Sequence, residues 1–512
     1  MSIPLLVGIV LVVLYVRWWR RKLTELPLPP GPRPWPMLGN LFDMSLKEMW
    51  LPATKWAKQF GDVVYVHIFG QGLVYLNSYD AAVDLLDRRG NIYSDKPRLV
   101  MVQELCGLSN MVPFVRYGDV ARRQRRLMNG ALNTRAVTTY EPLFESEVQG
   151  LLQRLVADPE NFIGSIRQYT GGSTLLVVYG YRVRSSQDKL LKLADECMTL
   201  LSTKMANNVG IWPVDVIPAL KYIPSWFPGA GFKRNAEAWR SLMQEFVDIP
   251  FEYVKQNMKD GTAGSSYCSI LLEEMPKKAE QWILEQTDTD IRWTANSMYL
   301  ASIDSMLTVL LHFLLAMMQY PHVMRKAQAE LDAVVGRSRL PSFKDRMSLP
   351  YIDCIFSEVL RWGAPVPMSL LHRVMEDDVY NGMRIPKGSL VFPNVWNMFR
   401  DESVFPEPHK FHPERYLNQV DEATSRRMDP RGAVFGFGRR KCPGSHLVES
   451  SVWIVIACML ATLDISKPKD EGGKEIEPDI TFENPVFRTP SLFKCSIRPR
   501  SEEAFRVIQQ SI

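Results

Sequence analysis

From Ile291 to Met318 the chain is apolar on most faces, and the run halts at Tyr320-Pro321. As a helix this segment spans about 40 Å, the width of a whole domain, and a helix that is greasy all round has to be wrapped by others. The segment therefore reads as a core element that crosses a domain, and with helix patterns dominant and only short strand signals elsewhere in the chain the expected fold is mainly α with small β-sheets (α+β). With 512 residues, 46% hydrophobic and 23% charged, the chain has material for such a core. Near the middle of the segment sits Ser302-Ile303-Asp304-Ser305, an acid and two alcohols in apolar surroundings. Buried polar groups must be satisfied, either by a local opening of the helix toward water, a ligand or oxygen, or by a polar stripe that reaches the surface.

The segments around it read as one large domain behind an anchor. Ile3 to Val16 is an almost unbroken apolar run closed by Arg17, Trp18, Trp19, Arg20, Arg21 and Lys22. It has no small-x-small cleavage site and its charges follow the run, which points to an uncleaved signal anchor over 1–22 with the rest of the chain cytosolic. Pro27, Pro29, Pro30, Pro32, Pro34 and Pro36 exclude helix and predict a stiff, extended hinge over 23–41. Residues 42–512 form the body. It opens with a helix over Ser45 to Phe60 and a hairpin of Val63 to Ile68 and Leu73 to Leu76, turning at Gly70-Gln71-Gly72. Helices dominate from there to about Pro350. Within them, Arg122, Arg123, Arg125 and Arg126 crowd one helix, either as a solvated face or as a surface for an acidic partner. Met205 to Phe232 mixes large apolar groups with prolines, as suits a loop that touches a bilayer, lines a ligand entrance or packs on the core. Pro350 opens a helix with Glu358 and Arg361 at i and i+3. Short strands at His372 to Val374, Arg384 to Ile385 and Leu390 to Phe392 come next, and Ile480 to Arg500 alternates weakly as further strands.

The stretch that carries chemistry is Phe-Gly-Phe-Gly-Arg-Arg-Lys-Cys-Pro-Gly, Phe435 to Gly444. Cys442 follows Arg439, Arg440 and Lys441 and precedes Pro443, which is suited to opening a helix through the apolar run Leu447 to Leu460. Cations and a helix N-terminus both favour a thiolate. Gly436, Gly438 and Gly444 remove side chains where backbone must approach something flat and bulky. Such a thiolate can serve as nucleophile, redox sensor or axial ligand to haem iron; a buried structural cysteine is the alternative. The seven cysteines are odd in number and contain no CxxC pair, which fits a reducing compartment. A net charge of +5 gives no footing for nucleic acid.

Taken together, these pieces resemble a cytochrome P-450, a haem-thiolate monooxygenase of the microsomal type, over essentially the whole chain. Phe435, Gly438, Arg440, Cys442 and Gly444 match the family's FxxGxRxCxG pattern, Glu358 and Arg361 its ExxR, and Phe411-His412-Pro413-Glu414-Arg415-Tyr416 its third element. The resemblance implies the cytochrome P-450 fold and haem b, with Cys442 as the iron ligand. It implies a buried network of Glu358, Arg361 and Arg415 that fixes the coil around the cysteine. Arg125, His372 and Arg440 would neutralise the haem propionates, and Asp304 and Ser305 would relay protons to dioxygen on the distal side. Electrons from NADPH would come through a partner reductase docked on Arg122, Arg123, Arg439 and Lys441.

The implied activity is insertion of one oxygen atom from O2 into a lipophilic small molecule at the endoplasmic-reticulum membrane. Val395-Trp396-Asn397-Met398 and Asp429-Pro430-Arg431 resemble fungal secondary-metabolism members, and the aliphatic and aromatic content of the substrate regions suits a terpenoid. Three positions depart from the family. Ser302 stands for a glycine, Ser305 for a threonine, and Ala121 for the tryptophan four residues before Arg125. Serine keeps the hydroxyl but loses the methyl that stiffens its rotamer, and Ser302 crowds the oxygen groove. A looser haem and some uncoupled oxygen reduction are expected. A reductase-independent haem-thiolate isomerase or dehydratase, and a non-catalytic haem or ligand sensor, are the alternative readings.

Overall fold

A computed structural model describes residues 26–45, 47–205, 212–275, 280–482 and 484–510. The expected anchor over 1–22 lies outside them. The helices of eight or more residues and the strands are, in order, α1 (Trp50–Phe60), β1 (Val63–Ile68), β2 (Gln71–Leu76), α2 (Asp119–Leu132), α3 (Glu141–Ala157), α4 (Phe162–Tyr179), α5 (Lys189–Leu200), α6 (Gly231–Lys259), α7 (Gln281–Gln319), α8 (Pro321–Val334), α9 (Pro350–Gly363), β3 (His372–Arg373), β4 (Asp378–Tyr380), β5 (Met383–Ile385), β6 (Leu390–Pro393), α10 (Ser445–Thr462), β7 (Leu463–Ser466), β8 (Ser496–Pro499) and α11 (Glu502–Gln509). The expected class, mainly helical with small sheets, is what is seen.

The central helix α7 starts ten residues before the apolar run. Its first turns are polar and are held by ion pairs to α6, Lys255 to Asp288 at 2.9 Å and Arg292 to Glu252 at 3.0 Å. From Asp290 to Met318 nearly every side chain is buried. Helices α2, α4, α6, α9 and α10 pack around it. The helix runs unbroken through 301–305, so the expected local opening is not seen. Ser302 Oγ instead donates to the Tyr299 carbonyl (2.8 Å) and Ser305 Oγ to the Ala301 carbonyl (2.7 Å), which satisfies both alcohols within the helix. Among the described residues, α7 and α10 are long and apolar enough to cross a membrane, but both are mostly buried and serve as core.

The main sheet has the order β1-β2-β6-β3. Its hairpin turns at Phe69-Gly70, not at Gly70-Gln71-Gly72, because Ile68 pairs with Gln71. Both turn residues take positive φ (48° and 82°), as a two-residue turn matched to strand twist requires. Gly72 belongs to β2, where a side chain would lie 2.8 Å from Ser389 Oγ and the Tyr65 hydroxyl. Of the proline segment expected to be extended over 23–41, the part from Pro27 onward is laid along the body, and Trp35 and Gly39 fold back on each other through two backbone bonds of 2.8 and 2.9 Å. The Pro27 carbonyl accepts from Arg384 N (2.7 Å), the Pro30 carbonyl from Tyr65 N (3.1 Å), and Asn40 N donates to the His67 carbonyl (2.7 Å). Gly31 permits this, since a Cβ there would sit 2.1 Å from the Tyr65 carbonyl oxygen.

Helix α1 begins at Trp50, later than the expected Ser45. Among the described residues of the tail only Ser496–Pro499 forms a strand, against Leu463–Ser466, and the described rest of Ile480 to Arg500 carries one bridge, between Phe482 and Pro490. Helix α11 comes last, its N-terminus capped by Ser501 accepting from Ala504 N at 3.1 Å.

Candidate active site

The cysteine loop is closed by its own backbone: Cys442 N donates to the Phe435 carbonyl at 2.7 Å. Gly438 has φ 55°, and a Cβ on it would stand 2.1 Å from the Leu86 carbonyl oxygen, so this glycine answers to the protein's own backbone and not to a flat ligand. Its N–H donates to the Asp87 carboxylate. Helix α10 starts at Ser445 with Gly444 at its N-cap, so Pro443 lies just outside the helix and not at its first residue. Cys442 is half-buried. Burial pushes its thiol up, against the opposing pulls of the Gly444 N–H, Arg125 and Lys441. Burial thus outweighs the neighbouring cations, whereas a metal ion bound at the sulfur would favour the thiolate. Among the described residues no three His, Cys, Asp or Glu gather as a bare-ion site, so a metal would have to bring further ligands of its own.

Upstream, Glu358 and Arg361 are fully buried and joined by two bonds of 2.8 Å. Arg361 spends its remaining N–H groups on the carbonyls of Phe399 (3.0 Å), Pro408 (2.8 Å) and Lys410 (3.1 Å). Glu358 Oε1 also accepts from His412 N (2.9 Å) and from Arg415 Nε (3.3 Å), and Arg415 Nη1 reaches the Pro406 carbonyl (3.0 Å). One buried carboxylate and two guanidinium groups thus pin the turn-rich coil 399–415, whose backbone has no ladder to hold it.

Arg125 Nη2 donates to the Lys441 carbonyl beside Cys442 (2.7 Å), and Arg440 donates to the carbonyls of Ser94 and Val115, both at 2.8 Å. His372 Nδ1–H donates to the Tyr93 carbonyl (2.8 Å), which leaves Nε2 free. Lys96, which no sequence motif marks, joins them, with its ammonium 2.7 Å from the Leu371 carbonyl. Burial, then Arg440 and Arg125, hold Lys96 well below the usual lysine range; burial, then Lys96, do the same to His372. Burial, then Arg125, bring Arg440 down to about 10. The nearest carboxylate, Asp95, is committed to Arg116 (2.6 Å) and Arg373 (3.2 Å). Four bases thus converge, with Asp95 as the anion that Lys96 and Arg440 feel.

On α7, Ala301 is exposed although Leu300, Ser302 and Ile303 beside it are buried, a window in the buried part of the helix, with Asp304 and Ser305 half-buried next to it. Asp304 lies by this window. Burial pushes its carboxyl up to about 6; Arg167, which is paired with Asp195 between α4 and α5, pulls it down, and Asp195 itself pushes it up.

The sequence profile of the cytochrome P-450 family matches residues 29–490. The chain belongs to that family. It is 41% identical to cytochrome P-450 monooxygenase 136 of Postia placenta over 497 residues, 97% of this chain and 93% of that protein. To the monooxygenases claT and claR of Ampulloclitocybe clavipes it is 39% and 38% identical, covering 97% and 88% of their lengths. The protein is thus a cytochrome P-450 monooxygenase, an oxidoreductase, and the family implies haem.

The residues present fit that group. Cys442 offers a single sulfur donor, and Arg125 and Arg440 would bring positive charge to two propionates; Lys96 stands beside them, while His372, held well below the usual histidine range, is neutral and would offer a hydrogen bond and not the charge expected of it. Ala121, where the P-450 family usually has tryptophan, is buried and offers no hydrogen bond, while Lys96 adds a cation that the motif does not specify. Of the basic residues expected to meet a reductase, Arg123 is taken out: its guanidinium is bound to buried Asp290 at 2.8 Å. Arg122 and Arg439 remain at the surface and flank Tyr117, with their guanidinium carbons 5.7 and 5.5 Å from its ring centre, and exposed Lys441 lies beside Cys442.

Proposed function

We propose that this P-450 inserts one oxygen atom from O2 into a lipophilic secondary metabolite, such as a terpenoid, at the endoplasmic-reticulum membrane, with electrons from an NADPH reductase. Haem, when bound, supplies oxygen activation, which a thiolate ligand favours by pushing electron density to iron. Cys442 provides that sulfur, and the Gly444 N–H moderates its charge. Arg125, Arg440, Lys96 and His372 hold the propionates. Phe435, Gly438 and Gly444 shape the loop. Asp304, titrating near 6, holds or releases a proton at its carboxylate beside the Ala301 window. Ser305 passes it on by rotating its hydroxyl away from the Ala301 carbonyl, a motion that serine makes more freely than threonine. Arg122, Arg439 and Lys441 on the Cys442 face form the docking surface for the reductase.

The observation that favours this reading over an isomerase is the acid and alcohol beside the α7 window, because reduction of O2 to water and one inserted oxygen atom consumes two protons, which such a pair can deliver. The test is co-expression with a reductase in a host that supplies candidate terpenes, followed by mass analysis. The expected product is one oxygen heavier and depends on both NADPH and O2. Turnover without NADPH would replace the monooxygenase with an isomerase, and ligand binding without turnover would replace it with a sensor.

A further inference from the structure

One carboxylate ties two distant stretches of the chain together. Asp215 lies in the short helix Pro213–Val216, and its Oδ2 accepts from the N-cap Trp212 N–H at 2.8 Å. Its Oδ1 accepts from Met101 N at 2.9 Å, in the first turn of the helical piece Val100–Leu105. The first turn of any helix leaves N–H groups unpaired with partial positive charge, which a carboxylate satisfies. Asp215 thus caps its own turn and another that lies 114 residues away.

A second tie runs outside the first: Glu104 meets Lys221 and Arg98, each at 2.7 Å. The stretch 98–105 is in turn fixed to the loop after it, since buried Gln103 accepts from Leu99 N (2.8 Å) and donates to the Phe114 carbonyl (2.7 Å). Val112 N then donates to Ser297 Oγ on α7 at 3.0 Å, one turn before Ala301. On the other stretch, the Trp212 indole donates to the Met205 carbonyl (3.0 Å) and packs on Trp239 of α6, with ring centres 6.0 Å apart. Bonded contacts therefore run from the α7 window through 98–114 to 212–222.

We propose that Asp215 is a positioning residue that joins 98–105 and 212–222 into one cap over the substrate pocket, so that the cap shapes and admits ligand as a single unit. This rests on the Ala301 face of α7 being the substrate side. Asparagine at 215 keeps one acceptor but turns an NH2 group toward the other N–H, and so breaks one bond and leaves a donor unpaired.

The experiment is hydrogen exchange on the full-length holoprotein, wild type against Asp215→Asn. Exchange is expected to rise about tenfold at 100–105 and 213–222 together, as the loss of one buried bond implies, with α3 unchanged. In the same samples clotrimazole, a bulky iron-binding azole, should bind and leave about tenfold faster, while imidazole is unaffected. Loosening of one stretch without the other, or of neither, overturns the proposal. If the variant loosens throughout, Glu104→Gln decides: joint loosening of 100–105 and 218–222 supports the cap, and no change sinks it. A missing thiolate signature in the reduced carbon-monoxide spectrum, with the joint loosening intact, refutes the haem-thiolate site and not the tie.

Discussion

Asp304 offers the sharpest test of how the distal side is built. Its carboxyl is raised from 3.8 to about 6, burial being the largest cause. The folded protein therefore binds more protons than the unfolded chain between those values, and stability falls as pH rises through that window. A rise of that size is worth about 3 kcal/mol once the group is fully ionised, and about half of that at pH 5. Asp304→Asn removes the penalty without changing the volume. For a chain of this size the pH-dependent gain in Tm should be about 3 °C at pH 8 and about 1.5 °C at pH 5. Thermal unfolding of both proteins across pH 5 to 8 reads it directly, and Asp215, which is also pushed up to about 6, cancels because both proteins carry it. Product formation should meanwhile drop on the order of 100-fold, since the relay has lost its acid. A Tm difference that is the same at both pH values would refute the account of Asp304 as a buried, easily protonated acid.

Other perturbations have definite outcomes. Arg361→Ala leaves Glu358 buried with Arg415 at 3.3 Å as its remaining cation and the His412 N–H at 2.9 Å, and should cost about 3–5 kcal/mol, read as loss of folded haem-loaded protein; Arg361→Lys should fail almost as badly, because an ammonium cannot reproduce the fork. Ser305→Thr should lower the peroxide released per NADPH consumed, and tight coupling in the wild type with no improvement in the variant counts against the relay. Reversing charge at Arg439 and Lys441 should slow reduction by the reductase and flatten its salt dependence, whereas Arg123→Glu should act on stability, by stranding Asp290, before it acts on reduction.

The sequence is most legible where a function is written within a few residues. The cysteine loop, the Glu358–Arg361 turn and the helix from Pro350 all depend on neighbours along the chain, and each lies where the pattern puts it. What sequence reasoning missed depends on partners far away. Gly438 is required by Leu86, and Arg123 is claimed by Asp290. Lys96 matters only because the fold brings Arg125, His372 and Arg440 beside it, and a lone lysine before a proline carries no such mark. The short helix α11 had a local signal, Ser501 followed by two acids, but the alternation before it drew the reading toward strands. The unbroken α7 is a different lesson: a serine in a helix can satisfy itself on a carbonyl one turn back, so polar residues in an apolar helix do not demand an opening.

The docked proline segment has a mechanical consequence. Because Pro27 is already bonded to Arg384, only residues 23–26 separate the basic cluster ending at Lys22 from a fixed point on the body. At most about 3.5 Å per residue, that leash reaches roughly 17 Å. Any restraint applied at Lys22 would therefore reach the β4–β5 hairpin first, through Arg384, and the β1 edge next, through Tyr65. From Pro27 onward the prolines act as a bracket across both sheets.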